Sequence, residues 1–181
     1  VLRVLRKATI AFEIVPVLCG TALRNQGVQP ILDAVVDLFP SPSDLPAVVG
    51  LDPADATAHL TREPDPAQPF SALAFKVMAD QHVGRLVFSR IYSGTINAGQ
   101  QVYNCTTKTK ERVNRIMRMH ANKREEIQTA KAGDIVALVG LKKAVTGDSL
   151  VDEKSPVVLE RIIFPVPVLS IAIEPRTRDD Q

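Results

Sequence analysis

The spacing of apolar residues divides the chain into two parts with different periods. In residues 1–9 and 28–36 apolar positions recur every three or four residues, as on one face of a helix, and residues 14–18 form a short β-type run between them. Pro40 and Pro42 end the second helical pattern. This order of helix, strand, loop and helix indicates a piece of an α/β unit, which needs neighbouring elements to cover its faces.

A proline-rich stretch, residues 39–69, separates the two parts and holds more than half of the thirteen prolines. Its composition indicates a linker or a loosely ordered surface segment, in which residues 55–62 can form a turn of helix. After it come short β-type runs separated by turns, at residues 70–78, 84–92, 101–104, 111–119, 127–130, 135–139 and 159–164. Such spacing predicts a mainly β fold closed into a barrel, because closure removes exposed sheet edges, with a sandwich as the alternative.

Composition indicates a protein with a buried core and argues against several kinds of site. Hydrophobic residues make up 45% of the 181 residues and can bury a core, which Val, Ile and Leu must form because aromatics are 4% and Trp is absent. Cys19 and Cys105 lack CxxC spacing, which argues against a zinc site or a disulfide framework and favours the reducing cytoplasm. No apolar run approaches the ~20 residues that span a bilayer, so no membrane partner is expected. The histidines are isolated, and no metal site or catalytic residue is predicted.

Local charge is more informative than the net charge of +2. Between residues 106 and 124 seven Lys and Arg residues accompany one acidic residue, Glu111. Such strands would suit RNA phosphates, but the same charges also protect a sheet edge from pairing, and spacing alone leaves the two interpretations equal. A second candidate is a hairpin-like unit, in which Gly84 allows close approach of a backbone and Arg85 suits a phosphate or a ribose. From these residues alone, a turn glycine beside an exposed arginine is the better interpretation. The candidate contacts are Gly84, Arg85, Arg90, Lys108, Lys110 and Arg112.

A short loop, Thr21-Ala22-Leu23, follows the β-type run at residues 14–18. In GTP-binding proteins a loop at this place directs backbone N–H groups to the guanine O6 and so rejects adenine. Taken alone, a few residues after a strand are more often a tight turn.

Several blocks of the sequence together resemble translation elongation factor G. They are Leu-Arg-Lys-Ala-Thr at 5–9, Val-Gln-Pro-Ile-Leu-Asp-Ala-Val at 28–35, Ile-Tyr-Ser-Gly-Thr at 91–95, Met-His-Ala-Asn-Lys-Arg-Glu-Glu at 119–126, and Ala-Ile-Glu-Pro at 172–175. The resemblance implies that residues 1–45 end the GTPase (G) domain, with a β-α piece, and that 46–68 form a connector. It further implies a β-barrel of the translation-factor domain II type at 69–164 and the start of domain III, with its first strand, at 165–181.

The resemblance also implies a function. The family binds GTP with Mg²⁺, hydrolyses GTP and drives tRNA and mRNA translocation on the ribosome, and its barrel rests on small-subunit rRNA. Thr21, Ala22 and Leu23 then match the guanine loop. The phosphate loop, the magnesium-binding aspartate and the Asn-Lys-x-Asp motif do not occur, so no GTPase activity and no bound cofactor are expected of the chain itself. A stand-alone RNA-binding or protein-interaction barrel, and a ribosome-protection or release-factor relative, are the alternatives.

Overall fold

Two helices come first along the chain and strands follow them. The computed structural model describes residues 1–55, 57–80, 83–120 and 123–159, with Leu169 and Ile171. The helices are α1, Leu2–Ile10, and α2, Val28–Leu38. The strands are β1 Val48–Leu51, β2 His59–Arg62, β3 Ser71–Asp80, β4 Gly84–Ser93, β5 Thr95–Asn97, β6 Gln101–Asn104, β7 Thr109–Arg112, β8 Arg115–His120, β9 Lys123–Ile127, β10 Thr129–Lys131, β11 Ile135–Val139 and β12 Ser149–Val151.

Both helices lie where the apolar spacing predicts them, and Arg6 joins them. Its guanidinium donates to the Asp37 carbonyl at the end of α2 (3.0 Å) and to the Asp44 carboxylate beyond it (2.5 Å). Hydrogen bonds from the backbone and hydroxyl of Ser41, with Arg6 beside them, hold the pKa of Asp44 below its ordinary value. In the described part of the chain, neither helix has the length and apolar character needed to cross a membrane.

The structure corrects two predictions in the first seventy residues. Residues 14–18 belong to no strand, because no neighbouring strand in the described part supplies hydrogen bonds to them. The proline-rich stretch contains a hairpin of β1 and β2, so the predicted turn of helix at residues 55–62 is wrong. Leu51 exchanges two backbone hydrogen bonds with Val158, each of 2.8 Å, and this contact fixes the hairpin against the rest of the fold.

Eight strands form one antiparallel sheet in the order β7-β6-β12-β3-β4-β11-β8-β9, and β5 pairs with β10 separately. The fold is therefore mainly β, as predicted, but the described residues contain no ladder that joins the two edge strands into a closed barrel. Residues 111–119, for which one strand is predicted, instead belong to two. The chain bends at Val113 and Asn114, so that β7 pairs with β6 while β8 pairs with β11.

The main core is aliphatic, as the composition predicts. Alternation along β4 buries Val87 and Ile91 on one face, where they pack with Val136 and Leu138 of β11 and with other side chains of the cluster. Burial of each such side chain stabilises the fold by roughly 1.5–3 kcal/mol.

The β-type runs at 70–78, 84–92, 101–104 and 135–139 correspond to β3, β4, β6 and β11. The run at 127–130 is divided, because β9 ends at Ile127 and β10 begins at Thr129. The run at 159–164 and the predicted start of domain III, at 165–181, lie outside the described residues except for Leu159, Leu169 and Ile171.

A buried carboxylate holds two turns next to the sheet, and its removal should destabilise the fold. Asp148 accepts hydrogen bonds from Asn104 Nδ2 (2.7 Å) and from the backbone N–H of Val145 (2.9 Å). Asp148→Ala leaves both donors unpaired, and we expect the free energy of unfolding to fall by about 2–4 kcal/mol. Urea denaturation measures this change. Asp33→Ala, an exposed position in α2, is the control and should alter stability little; an equal loss in the two variants would contradict the prediction.

The two cysteines should differ in reactivity. Cys19 is exposed and Cys105 is buried, and burial raises the pKa of the Cys105 thiol. Because the thiolate is the nucleophile, iodoacetamide near pH 7 should alkylate Cys19 in the folded chain and both residues in urea. Peptide mass spectrometry counts the adducts. Equal labelling of both cysteines in the folded chain would show that Cys105 is accessible.

Candidate nucleic-acid interface

A groove lies where the bend between β7 and β8 meets the loop that follows β11. It consists of two adjoining cavities of about 510 Å³ and about 330 Å³, which share Asn114, Gly140 and Lys142. We call it the basic groove, because the described residues that line it include six cations and one acid. The cations are Arg85, Lys110, Arg112, Arg115, Lys142 and Lys143, and the acid is Glu111.

Strand pairing brings these residues together from distant parts of the sequence. The last residue of β11, Val139, pairs with Arg115 of β8 on one side and with Leu86 of β4 on the other. The loop after β11 therefore begins between the strands that carry Arg115 and Arg85. Alternation along β7 exposes Lys110 and Arg112 and buries Glu111 between them.

Gly140 allows the loop to leave the sheet at this place. Its φ is 109°, in a region that favours glycine. A Cβ there would lie 2.7 Å from Asn114 Nδ2 and 2.8 Å from the Arg112 carbonyl, which is closer than real Cβ contacts. The loop and the bend can thus approach each other only with glycine at this position.

Glu111 fixes the loop from within the groove. It is 9% exposed, and one of its carboxylate oxygens, Oε2, accepts the backbone N–H groups of Lys142 (2.5 Å) and Lys143 (2.8 Å). The other oxygen, Oε1, is buried without a hydrogen-bond partner. The carboxylate holds the backbone that carries the two lysines, and its negative charge lies among their positive ones.

Arg85 holds the same loop from the β4 side. Its guanidinium donates to the carbonyls of Lys142 and Ala144, the latter at 2.5 Å. The predicted RNA contact at Arg85 is therefore engaged with protein carbonyls, although its positive charge still lines the groove. We conclude that this arginine positions the loop.

The remaining cations differ in how far they are neutralised. Lys110 lies 2.7 Å from the Glu153 carboxylate, and Arg115 lies 3.8 Å from that of Glu126. Arg112 is exposed and donates from Nε to the Gly99 carbonyl (2.9 Å). Within the described ranges, Lys142 and Lys143 form no ion pair. The groove therefore keeps an excess of positive charge, which suits a polyanion.

The other three candidate contacts are not among the residues that line this groove. Lys108 is exposed in the turn between β6 and β7, with a φ of 53°. Gly84 begins β4 with a φ of 81° and has open space around the position of a Cβ. Arg90 is half-buried, with its guanidinium carbon 5.3 Å from the centre of the Tyr92 ring, and lines a different cavity. The six candidates thus do not form one site, since only Arg85, Lys110 and Arg112 line the basic groove.

The predicted guanine loop is a surface turn. Thr21 and Gln26 form an antiparallel bridge, and a 3-10 helix, Ala22–Arg24, lies between them. Leu23 is 97% exposed. Gly27 lies at the end of the turn with a φ of 80°. Glycine is needed there, because a Cβ at this position would lie 2.8 Å from the Gly20 Cα.

The sequence analysis missed several residues of the groove. The charge pattern includes Arg115 in the basic segment but does not mark it as a contact, and it does not indicate Asn114, Lys142 or Lys143. A signal existed for the lysines, since they follow Gly140 and Leu141 just after the apolar strand β11. Within the described ranges, no group of three or more His, Cys, Asp or Glu residues could hold a metal ion.

A comparison with protein families agrees with this architecture. Residues 69–153 match the family model described as elongation factor G domain 2. The match includes all eight strands of the main sheet and every residue that lines the basic groove. It supports a translation-factor domain II in this part of the chain.

Loss of the Glu111 carboxylate should free the loop that carries Lys142 and Lys143. In Glu111→Ala, neither backbone N–H has its acceptor, so we expect their amide hydrogens to exchange at least tenfold faster. Glu111→Gln keeps a carbonyl oxygen that can accept one N–H, and it should lie between the wild type and the alanine variant. Hydrogen exchange followed by NMR measures both. Unchanged exchange at these amides in Glu111→Ala would show that other contacts hold the loop.

Proposed function

We propose that the chain is a fragment of elongation factor G, the factor that binds and hydrolyses GTP and drives tRNA and mRNA translocation on the ribosome. In this proposal its domain II docks on small-subunit rRNA through the basic groove. The observation that carries the proposal is the convergence of six cations on one groove within the residues that match elongation factor G domain 2.

The chemistry of the groove favours the RNA backbone over its bases. Lys and Arg side chains neutralise phosphates and release counterions, which gives affinity without sequence selection. No aromatic side chain is among the described residues that line the groove, so bases have no stacking surface there. Recognition would therefore depend on the positions of phosphates, as expected for docking on a folded RNA.

The candidate contacts have different roles in this proposal. Lys110, Arg112, Lys142 and Lys143 contact phosphates, because their side chains are the groove's outer cations. Arg85 acts mainly by holding the loop. Gly84 and Lys108 extend the contact at its margin, and Arg90 contributes least, since its guanidinium lies over Tyr92.

The first forty residues support a second part of the proposal, that they belong to a G domain. Large apolar side chains in this region are exposed, among them Val4, Phe12, Val17, Leu32 and Val36. A stand-alone module would gain by burying such a surface, and a larger α/β domain would cover it. Thr21, Ala22 and Leu23 are then the guanine loop of that domain, with no phosphate-binding residues beside them. GTP and Mg²⁺ belong to the full-length factor, in the cytoplasm, and we expect neither to bind this chain.

We also propose that domain II closes into a barrel. The sheet order places β7 at one edge and β8 next to the other, and only two residues separate these strands in sequence. At the bend, the Val113 N–H donates to the Gln100 carbonyl (2.9 Å), next to β6, and the Asn114 N–H donates to the Val139 carbonyl (2.8 Å), at the end of β11. A single bent segment can thus join the first and last parts of the sheet.

Cosedimentation with small ribosomal subunits tests the docking proposal. The wild-type chain should pellet with the subunits at about 50 mM KCl and much less at about 200 mM, because salt competes with phosphate contacts. The double variant Lys142→Gln, Lys143→Gln should bind more weakly, and the dependence of log K on log salt should fall by about two, one for each lost phosphate contact.

The matched control removes two exposed lysines outside the groove, Lys76 and Lys131, by the same substitution to Gln. It has the same net charge as the test variant and should bind like the wild type. Equal weakening in both variants would indicate non-specific attraction to the subunit, and no pelleting of the wild type at either salt concentration would refute docking by this chain.

A further inference from the structure

A separate cavity of about 320 Å³ lies between the β1–β2 hairpin and the main sheet. Its lining comes from the chain before β1, from the end of β2, and from β4 with the turn before β11. The lining residues that matter here are Pro42, Pro46, Ala47, Arg62, Pro64 and Arg90, with Tyr92 beside them. Within the described ranges it shares no residue with the basic groove.

The walls of this cavity are mainly apolar, and prolines limit the backbone freedom of part of them. Leu45, Val48 and Ile91 line it together with three prolines, which have a fixed φ and no backbone N–H to offer a ligand. Such walls favour an apolar body and offer it few polar contacts. The volume is at the small end of the range for ligand sites, about 300–1,000 Å³, so the occupant would be a small molecule.

The charges on the cavity wall are positive. Arg62 and Arg90 are the charged side chains among its described lining residues, and no carboxylate lines it there. Arg90 lies over the Tyr92 ring, which keeps its guanidinium at the wall. Arg62 donates to the carbonyls of Thr61 and Ser155, each at 3.0 Å, but its Nε is buried without an acceptor. The Nε atom is enclosed by protein, so Arg62 contributes to the cavity mainly through its positive charge.

We propose that this cavity binds a small aromatic carboxylate, with the ring against the proline, Ile91 and Ala47 walls and the carboxylate between Arg62 and Arg90. Arginine is suited to this role because its planar guanidinium binds carboxylate oxygens in pairs. The site goes beyond RNA docking, since it uses other residues on another surface. A larger phosphorylated ligand fits less well, because the apolar walls offer its further oxygens no donors.

A pair of matched probes tests the proposal. Indole-3-acetate carries the ring and the carboxylate, and indole-3-acetamide has the same shape without the charge. Because the chain has no Trp, indole fluorescence reports on the probe alone. We expect the acetate to bind at least tenfold more tightly than the amide, the difference expected for hydrogen bonds to a charged group.

Two variants locate the binding site. Arg90→Gln should weaken binding of the acetate about tenfold and leave the amide unchanged, and Ala47→Phe should abolish binding of both probes by filling the cavity. Lys76→Gln, exposed on β3 outside the cavity, is the control for loss of one positive charge and should bind like the wild type. Circular dichroism of each variant verifies the fold, and amide shifts of Val48 and Gly133 on titration with the acetate give a second readout.

Three outcomes would overturn the proposal. Equal affinity for acetate and amide would show that the arginines do not recognise an anion. Binding that survives Ala47→Phe in a folded variant would place the probe elsewhere, for example on the exposed apolar residues of α1 and α2. Displacement of indole-3-acetate by a short RNA oligonucleotide at low salt would assign the cavity to RNA.

Discussion

The bend at Val113 and Asn114 is the constraint on which the β domain depends. Because the chain turns there, one stretch of twelve residues, 109–120, supplies β7 to one edge of the sheet and β8 to the position next to the other edge. The same bend brings basic side chains of both strands around Gly140, where a larger residue would collide with Asn114. Sheet organisation and the position of the groove therefore have a common origin in local backbone geometry.

Much of the β domain could be predicted from sequence, because its longer strands have local apolar patterns. β6 and the second half of β4 bury every second residue, and β11 is a continuous apolar run, so the local sequence predicts their burial. β12 has only three residues, all buried, and β1 and β2 lie in a proline-rich stretch whose composition suggested a linker. Their stability comes from contacts such as that between Leu51 and Val158, more than a hundred residues apart, which local patterns do not contain.

The positive charge of the candidate site could be predicted from sequence, but the set of residues that forms the site could not. The basic segment indicated Lys110 and Arg112, because like charges so close in sequence are easily seen. Lys142 and Lys143 join them only through the pairing of β11 with β8, which is a tertiary fact. Arg85 is a residue that the sequence marks as a contact and the structure assigns another role. Its residue type suits a phosphate, but its guanidinium donates to two backbone carbonyls of the chain itself.

The loop of Lys142 and Lys143 is held from two sides, by a carboxylate on its N–H groups and by a guanidinium on its carbonyls. Its backbone has consequently lost most of its freedom before any partner arrives. Association with a polyanion would then sacrifice little conformational entropy of the loop, and only the lysine side chains would need to become ordered. A surface of this kind presents the same arrangement of charge to every partner that it meets.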